Sequence, residues 1–189
     1  MAKIALLSGS LRRESVNSAA LATVRRVVER HRGGHAAFVV PLQSFPLFNE
    51  DTPAPRESGA LRRALDDCAA ADALIISSPA YNGYPPGVLK NALDWLSWGG
   101  RRAPLAGLPA AVLSASPGPQ GGANVLPHLR RILLNSGAAP IDHDGVAIGD
   151  AVRLRTPEGL FTDPGVVARV EDLVDAALMA AADRVLQPL

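Results

Sequence analysis

The sequence predicts an α/β fold: a three-layer sandwich with a five-stranded parallel sheet in the order 2-1-3-4-5 and helices on both faces. Three observations carry that prediction. Short apolar runs alternate with helical patterns along the chain, and repeated strand–helix units force right-handed crossovers and a parallel sheet. Ala73-Leu74-Ile75-Ile76-Ser77 is continuously apolar, as a strand covered on both faces should be. Near the C-terminal end, Val166, Val170, Leu173, Val174, Ala177, Leu178 and Ala181 fall on one face of a helix.

Residues 4–7, Ile-Ala-Leu-Leu, read as the first strand. The helix after it carries Leu21, Val24, Val27 and Val28 on one face, and Gly33-Gly34 stops it. Residues 35–40 form the second strand. Residues 41–55 are a proline-rich surface loop holding Phe45, Leu47 and Phe48. A helix then runs from Ser58, a suitable N-cap, to about residue 71. After the third strand, Pro85 or Pro86 opens a helix with Val88, Leu89, Ala92, Leu93 and Leu96. Residues 108–113 are the fourth strand, and Val125, Leu129, Ile132 and Leu133 mark the fourth helix. A short strand at Val146-Ala147-Ile148 precedes the last helix. No repeat or second domain is visible, so residues 1–189 read as one domain.

With 189 residues and 48% hydrophobic against 20% charged, the chain can bury a full core, and a disordered chain is excluded. The formal charge of +1 gives no bulk attraction for nucleic acid. No apolar run reaches the ~20 residues of a membrane span, and the first residues do not form a signal peptide. The expected location is the cytoplasm, with no membrane partner. Cys68 is the one cysteine, so no disulfide framework or thiolate metal cage is available, and its helical spacing from Leu61 and Leu65 suits a buried side chain. Asp142-His143-Asp144 lacks a second ligand group at a recognisable spacing and reads as an exposed loop. Arg25, Arg26, Arg30 and Arg32 read as a solvated helix face.

Ligands of such sheets bind at the carboxyl ends of the strands, where the strand order reverses. That edge carries the loops after strands one, three and four, and these three have unusual compositions. The first, residues 9–18, leads into a helix whose free amides and positive dipole end suit an anion. Ser10, Ser15 and Asn17 add short donors and Arg12 adds charge. The Gly-Lys-Ser/Thr ending of a P-loop and the three glycines of a dinucleotide fingerprint are both missing. The second loop, residues 77–87, holds Tyr81, Tyr84, three prolines and two glycines. It is a stiff shelf for a planar ring, or a turn whose tyrosines pack at a dimer surface. The third, residues 114–122, has three glycines that allow close backbone approach and exposed amides for a developing negative charge, unless it is a turn without function. A phosphate cradle, a ring shelf and a glycine edge together describe a mononucleotide with a large planar head. FMN fits, and ATP fits less well.

The motif Gly-Ser-Leu-Arg-x-x-Ser-x-Asn at residues 9–17 resembles the phosphate loop of the NADPH-dependent FMN reductase family. So does Ser-Pro-x-Tyr-Asn-Gly-x-x-Pro-Gly-x-Leu-Lys-Asn-Ala-x-Asp-Trp at residues 78–95. Pro-Leu-Phe-Asn-Glu-Asp at 46–51 and Gly-Gly with Leu-Arg at 121–130 follow in family order. The resemblance implies a flavodoxin-like fold and an oxidoreductase that passes hydride from NADPH or NADH to bound FMN. A small-molecule acceptor (quinone, flavin, azo compound or metal oxyanion) then takes the electrons with ping-pong kinetics. It implies that the run Ser10, Leu11, Arg12, Ser15, Val16 and Asn17 holds the FMN phosphate. It implies that Pro79, Ala80, Tyr81, Asn82 and Gly83 lie along the isoalloxazine ring, and that Ser116, Pro117, Gly118 and Gly121 contact its far edge. Arg12 or Arg13 is a candidate for the 2′-phosphate of NADPH. No side chain is assigned as an acid–base catalyst. The family usually carries Glu where this chain has Ala80, which bears on a subunit salt bridge more than on the flavin. A homodimer or homotetramer is the expected assembly, and Leu93, Trp95, Leu96 and Trp98 serve either a self-association surface or core packing. The rival readings are a one-electron carrier like flavodoxin, which the charge of +1 disfavours, and a non-catalytic FMN-binding module.

Overall fold

The computed structural model describes residues 1–51 and 59–186. The predicted N-cap Ser58 and the end of the proline-rich loop lie outside the described residues. The first units are β1 (Lys3–Ser8), α1 (Val16–Arg30), β2 (Ala36–Val39), α2 (Gly59–Ala69), β3 (Ala73–Ser77) and α3 (Gly87–Ser97). Next come β4 (Pro109–Ala115), α4 (Val125–Asn135), β5 (Ala139–Pro140), β6 (Val146–Ile148), α5 (Ala151–Leu154) and α6 (Pro164–Leu186). The strands form one sheet in the order β2-β1-β3-β4-β5, with β6 also paired to β4, and every pairing is parallel. This is the predicted flavodoxin-like order.

Alternation along the strands divides the core in two. Ile4, Leu6, Ala73, Ile75, Ala111 and Leu113 face Leu21, Val24 and Val28 of α1 and Val170, Leu173 and Val174 of α6. Ala5, Leu7, Leu74, Ile76, Ala110 and Val112 face the other way, toward Leu61, Leu89, Trp95 and Leu129 of α2, α3 and α4. Cys68 is fully buried in this second layer. Burial, with Asp67 beside it, pushes its thiol pKa up to about 12.

The fifth position of the sheet differs from the prediction. The expected strand at Val146-Ala147-Ile148 is present against Leu113-Ser114-Ala115, but a separate strand, Ala139–Pro140, pairs with Pro109-Ala110 first. A proline is tolerated there because the strand lies at the edge. Between β6 and α6 the chain also forms α5 and a turn closed by a bridge between Arg155 and Phe161. Phe161 is buried, and its N–H donates to Thr23 Oγ1 of α1 at 2.9 Å.

Of the two readings of the large apolar residues on α3, core packing holds for three of the four. Leu93, Trp95 and Leu96 are at most 1% exposed, and only Trp98 is open, at 41%. Trp95 serves the core and the loop after β2. Its indole N–H donates to Pro46 O at 2.8 Å, and Phe48 meets its ring edge-on at 5.0 Å. Asn91 completes the anchor, accepting from Phe48 N–H at 2.7 Å and donating to Pro46 O at 2.8 Å.

Candidate functional site

The three unusual loops lie along one edge of the sheet, at the carboxyl ends of β1, β3 and β4, and direct bonds join them. Gly9 N–H donates to Ser77 O at 2.7 Å, and Ser78 N–H donates to Leu113 O at 2.9 Å. A Cβ on Gly9 would come within 3.1 Å of Leu89 Cδ2, 3.2 Å of Pro79 Cδ and 3.3 Å of Ser78 Cα. Glycine therefore allows the first loop to lie against the second.

Asn17 is the central tie. It is 2% exposed in the first turn of α1. Its Oδ1 accepts from Ala115 N–H at 3.1 Å and from the Ser77 hydroxyl at 2.9 Å, while its Nδ2 donates to Ala115 O at 3.0 Å. One buried amide thus links the first loop to the ends of β3 and β4. The side chain is engaged within the protein, so Asn17 shapes the edge from beneath.

Ser15 caps α1 and accepts from the N–H groups of Asn17 and Ser18, both at 3.2 Å. Ser10 sits almost buried, and its Oγ accepts from Arg12 N–H at 3.4 Å. Ser8 Oγ lies 2.9 Å from Ser18 Oγ. Among the described residues, the N–H groups of Leu11, Arg13, Glu14 and Val16 have no hydrogen-bond partner. Leu11, Arg12 and Arg13 have exposed side chains, and Val16 is half-buried. Neutral amides, two serine hydroxyls and the exposed Arg12 side chain at a helix start form a donor set suited to a phosphate dianion.

The second loop is a two-residue hairpin. Tyr81 N–H donates to Tyr84 O at 2.9 Å and Tyr84 N–H donates to Tyr81 O at 3.1 Å. Asn82 (φ 52°) and Gly83 (φ 87°) are both left-handed, as a type I′ turn requires. The Asn-Gly pair between two tyrosines was the sequence signal for this hairpin. Pro79 is buried, Ala80 half-buried, and Tyr81 and Tyr84 are 52% and 59% exposed. The N–H groups of Ala80, Asn82 and Gly83 have no partner among the described residues.

In the third loop, Gly118 O accepts from Gly121 N–H at 3.1 Å and from Asp150 N–H at 3.2 Å. Ser116 N–H donates to Ile148 O at 3.1 Å, and Ser114 Oγ donates to Gly121 O at 2.8 Å. Gly121 has φ 64°, and a Cβ there would lie 2.6 Å from the Ile148 backbone. Pro117 and Gly118 are exposed. The N–H groups of Gly118 and Gly122 are without partners among the described residues, and a Cβ on Gly122 would rest 3.6 Å from the Ala80 methyl. The absence of a side chain at Gly122 therefore lets the third loop lie close to the second. The sequence reading missed the roles of Asn91 and Trp95, which hold the 46–48 segment, and of Ser77, Ser78 and Ser114, whose hydroxyls brace the edge. In the Asp142-His143-Asp144 segment, His143 Nδ1 accepts from Gly145 N–H at 2.9 Å and its Nε2 lies 3.3 Å from Asp172.

A family model described as NADPH-dependent FMN reductase matches residues 2–153. An NAD(P)H-dependent FMN reductase of Pseudomonas aeruginosa is 35% identical over 178 residues, covering 94% of this chain and 92% of that one. A quinone reductase of Pseudomonas putida is 31% identical over 160 residues, 85% of this chain and 84% of its own. Among solved structures, the flavoenzyme NAD(P)H:(acceptor) oxidoreductase FerB of Paracoccus denitrificans superposes with a TM-score of 0.83 at 27% identity, covering 97% of this chain and 98% of its own. A flavodoxin mutant from Pseudomonas aeruginosa superposes with a TM-score of 0.57 at 16% identity, a likeness of fold alone, over 93% of this chain and 99% of its own.

Proposed function

This chain belongs to the NADPH-dependent FMN reductase family, and from that premise we propose that it is an FMN-containing oxidoreductase that carries electrons from NADPH or NADH to a small-molecule acceptor. The observation that carries the reading is the joining of three donor-rich loops at one sheet edge through Asn17. When bound, FMN would supply the redox chemistry: it accepts a hydride from the nicotinamide and delivers two electrons to a quinone, flavin, azo or metal-oxyanion acceptor.

The protein's part is to bind, orient and tune. The N–H groups of Leu11, Arg13, Glu14 and Val16, unpaired among the described residues, would hold the phosphate with Ser10, Ser15 and the Arg12 side chain. The rigid hairpin would support the ring along Pro79, Ala80, Tyr81, Asn82 and Gly83, where its free N–H groups can meet polar edge atoms. Main-chain donors need no side chain, so Ala80 in place of the family's usual Glu leaves that binding intact. Gly118 and Gly122 would add N–H donors where negative charge develops, beside Ser116, Pro117 and Gly121. No ionisable side chain is needed at the reacting atoms. Arg12 or Arg13 would reach the 2′-phosphate of NADPH.

Nicotinamide and acceptor would use the same open face in turn, so initial-rate plots at several acceptor concentrations should be parallel. The proposed assembly is a homodimer or homotetramer, and sedimentation of the purified protein checks it. Among the described residues no helix is long and apolar enough to cross a membrane, and we place the reaction in the cytoplasm. The test is direct. Purified protein should be yellow and should bleach with NADPH under anaerobic conditions. Colourless protein that stays colourless after incubation with FMN refutes the reading.

A further inference from the structure

Beside the hairpin, the rim carries the side chains of Tyr84, His128 and Arg131, which the proposed flavin contacts do not use. Tyr81 and Tyr84 exchange both hydrogen bonds of the hairpin, so they stand directly opposite each other and project to the same face. The Tyr84 ring also lies on the His128 imidazole of α4, with centroids 4.5 Å apart and planes 35° from parallel. Tyr84 and His128 are thus in ring contact, Tyr81 stands beside Tyr84 across the hairpin, and all three residues are exposed. Asn124, His128 and Arg131 follow at helical spacing, so they share one face of α4. Asn124 Nδ2 approaches the turn, 3.6 Å from where a Cβ of Gly83 would be. Arg131 is exposed and has no ion pair among the described residues, although Asp144 borders the same hollow of about 640 Å³.

We propose that the Tyr81–Tyr84–His128 set, with Arg131 one helical turn further on, is the acceptor-selecting surface of this enzyme, and that it selects planar aromatic acceptors bearing an acidic substituent. The inference rests on the function proposed above, because the hairpin is the ring shelf of that reading. The chemistry follows from the side chains. Two half-open tyrosine faces and an imidazole offer stacking area to a flat ring at low entropic cost. The imidazole N–H is a donor, the Arg131 guanidinium is a donor that carries a positive charge, and the face they share holds asparagine rather than an acid. A sulfonate or carboxylate on the stacked ring would meet them, whereas a neutral ring would gain the stacking alone.

The test compares a naphthoquinone with its sulfonate, using flavin-loaded protein and saturating NADPH. His128→Phe keeps a ring against Tyr84 but removes the donor. It should lower the sulfonate-to-neutral ratio of kcat/KM about tenfold, the loss expected for one charge-assisted hydrogen bond. Arg131→Gln should lower the same ratio, and His128→Lys should largely preserve it. Calorimetric titration of the oxidised protein with the sulfonate, without NADPH, gives a readout independent of turnover, and Kd should rise about tenfold in His128→Phe. Wild-type protein that holds flavin and oxidises NADPH, with ratio and Kd unmoved in His128→Phe and Arg131→Gln, overturns this inference alone. Wild-type protein that binds no flavin overturns the proposed function and this inference with it.

Discussion

Replacing Asn17 by alanine tests whether one buried amide holds the edge together. The substitution removes the partners of three buried groups: Ala115 N–H, Ala115 C=O and the Ser77 hydroxyl. Ala115 is 1% exposed and Ser77 fully buried, so solvent cannot readily replace the lost bonds. At about 1 kcal/mol for each group left unsatisfied, the loss is about 3 kcal/mol, and it could reach twice that. For a domain of this size, that lowers Tm by roughly 6–12 °C. Urea unfolding followed by tryptophan fluorescence should show a lower midpoint at unchanged slope. Asn17→Asp sharpens the test. It keeps an acceptor for Ala115 N–H and Ser77 but turns an ionised oxygen against Ala115 O. Its folded-state pKa should therefore be raised, which makes the variant relatively more stable below the ordinary Asp range and less stable as pH rises through the folded value. A loss below about 1 kcal/mol in Asn17→Ala, or a pH-independent deficit in Asn17→Asp, refutes the tie.

Three further outcomes follow from single contacts. Gly121→Ala meets both a left-handed φ of 64° and a backbone 2.6 Å away, whereas the nearest atom to a Cβ on Gly118 is 3.9 Å off; melting curves should show a loss of about 2–4 kcal/mol for the first and under about 0.5 kcal/mol for Gly118→Ala. Cys68 should not react with an aromatic disulfide until the protein unfolds. Because the folded state keeps the thiol proton between pH 9 and about 12 while the unfolded chain releases it, stability should fall across that window by up to roughly 4 kcal/mol, and Cys68→Ala should flatten the fall. Trp95→Phe loses the bond to Pro46 O and should cost about 1–2 kcal/mol and speed proteolysis of residues 41–51, while Trp98→Phe, at a 41% exposed site, should do neither.

The order of strands was readable because burial on both faces leaves a plain mark: residues 73–76 are continuously apolar, and the stripe on α6 repeats at helical spacing. The loops of the candidate site were readable by composition. Their connections were not. Asn17 looks like any polar residue at a helix start, and its partner Ala115 lies 98 residues away with nothing in its own side chain to signal a bond. Trp95 and Asn91 were visible as a motif, but their partner is a main-chain oxygen, at Pro46, and a carbonyl has no residue type. The Ala139–Pro140 strand was hidden because two residues make no pattern and proline argues against a strand. Asn82-Gly83 did carry a hairpin signal, and the tyrosine pair across it follows from turn geometry.

The edge separates two kinds of polar group, and the separation has a consequence for how it can change. Asn17, Ser77, Ser78 and Ser114 are at most 2% exposed, each is hydrogen-bonded within the protein, and none of them ionises near neutrality. They hold main-chain amides in place without the desolvation cost of a buried charge. The ionisable groups Arg12, Arg13, His128 and Arg131 stand outside on exposed positions. Exchanging one of them changes the charge that the rim presents and leaves the buried bonds untouched, so on the proposed reading Arg12 and Arg13 tune phosphate binding and His128 and Arg131 tune the acceptor on a constant frame. A change beneath the edge, at Asn17 or Ser77, moves the amides themselves, and binding and stability must then fall together.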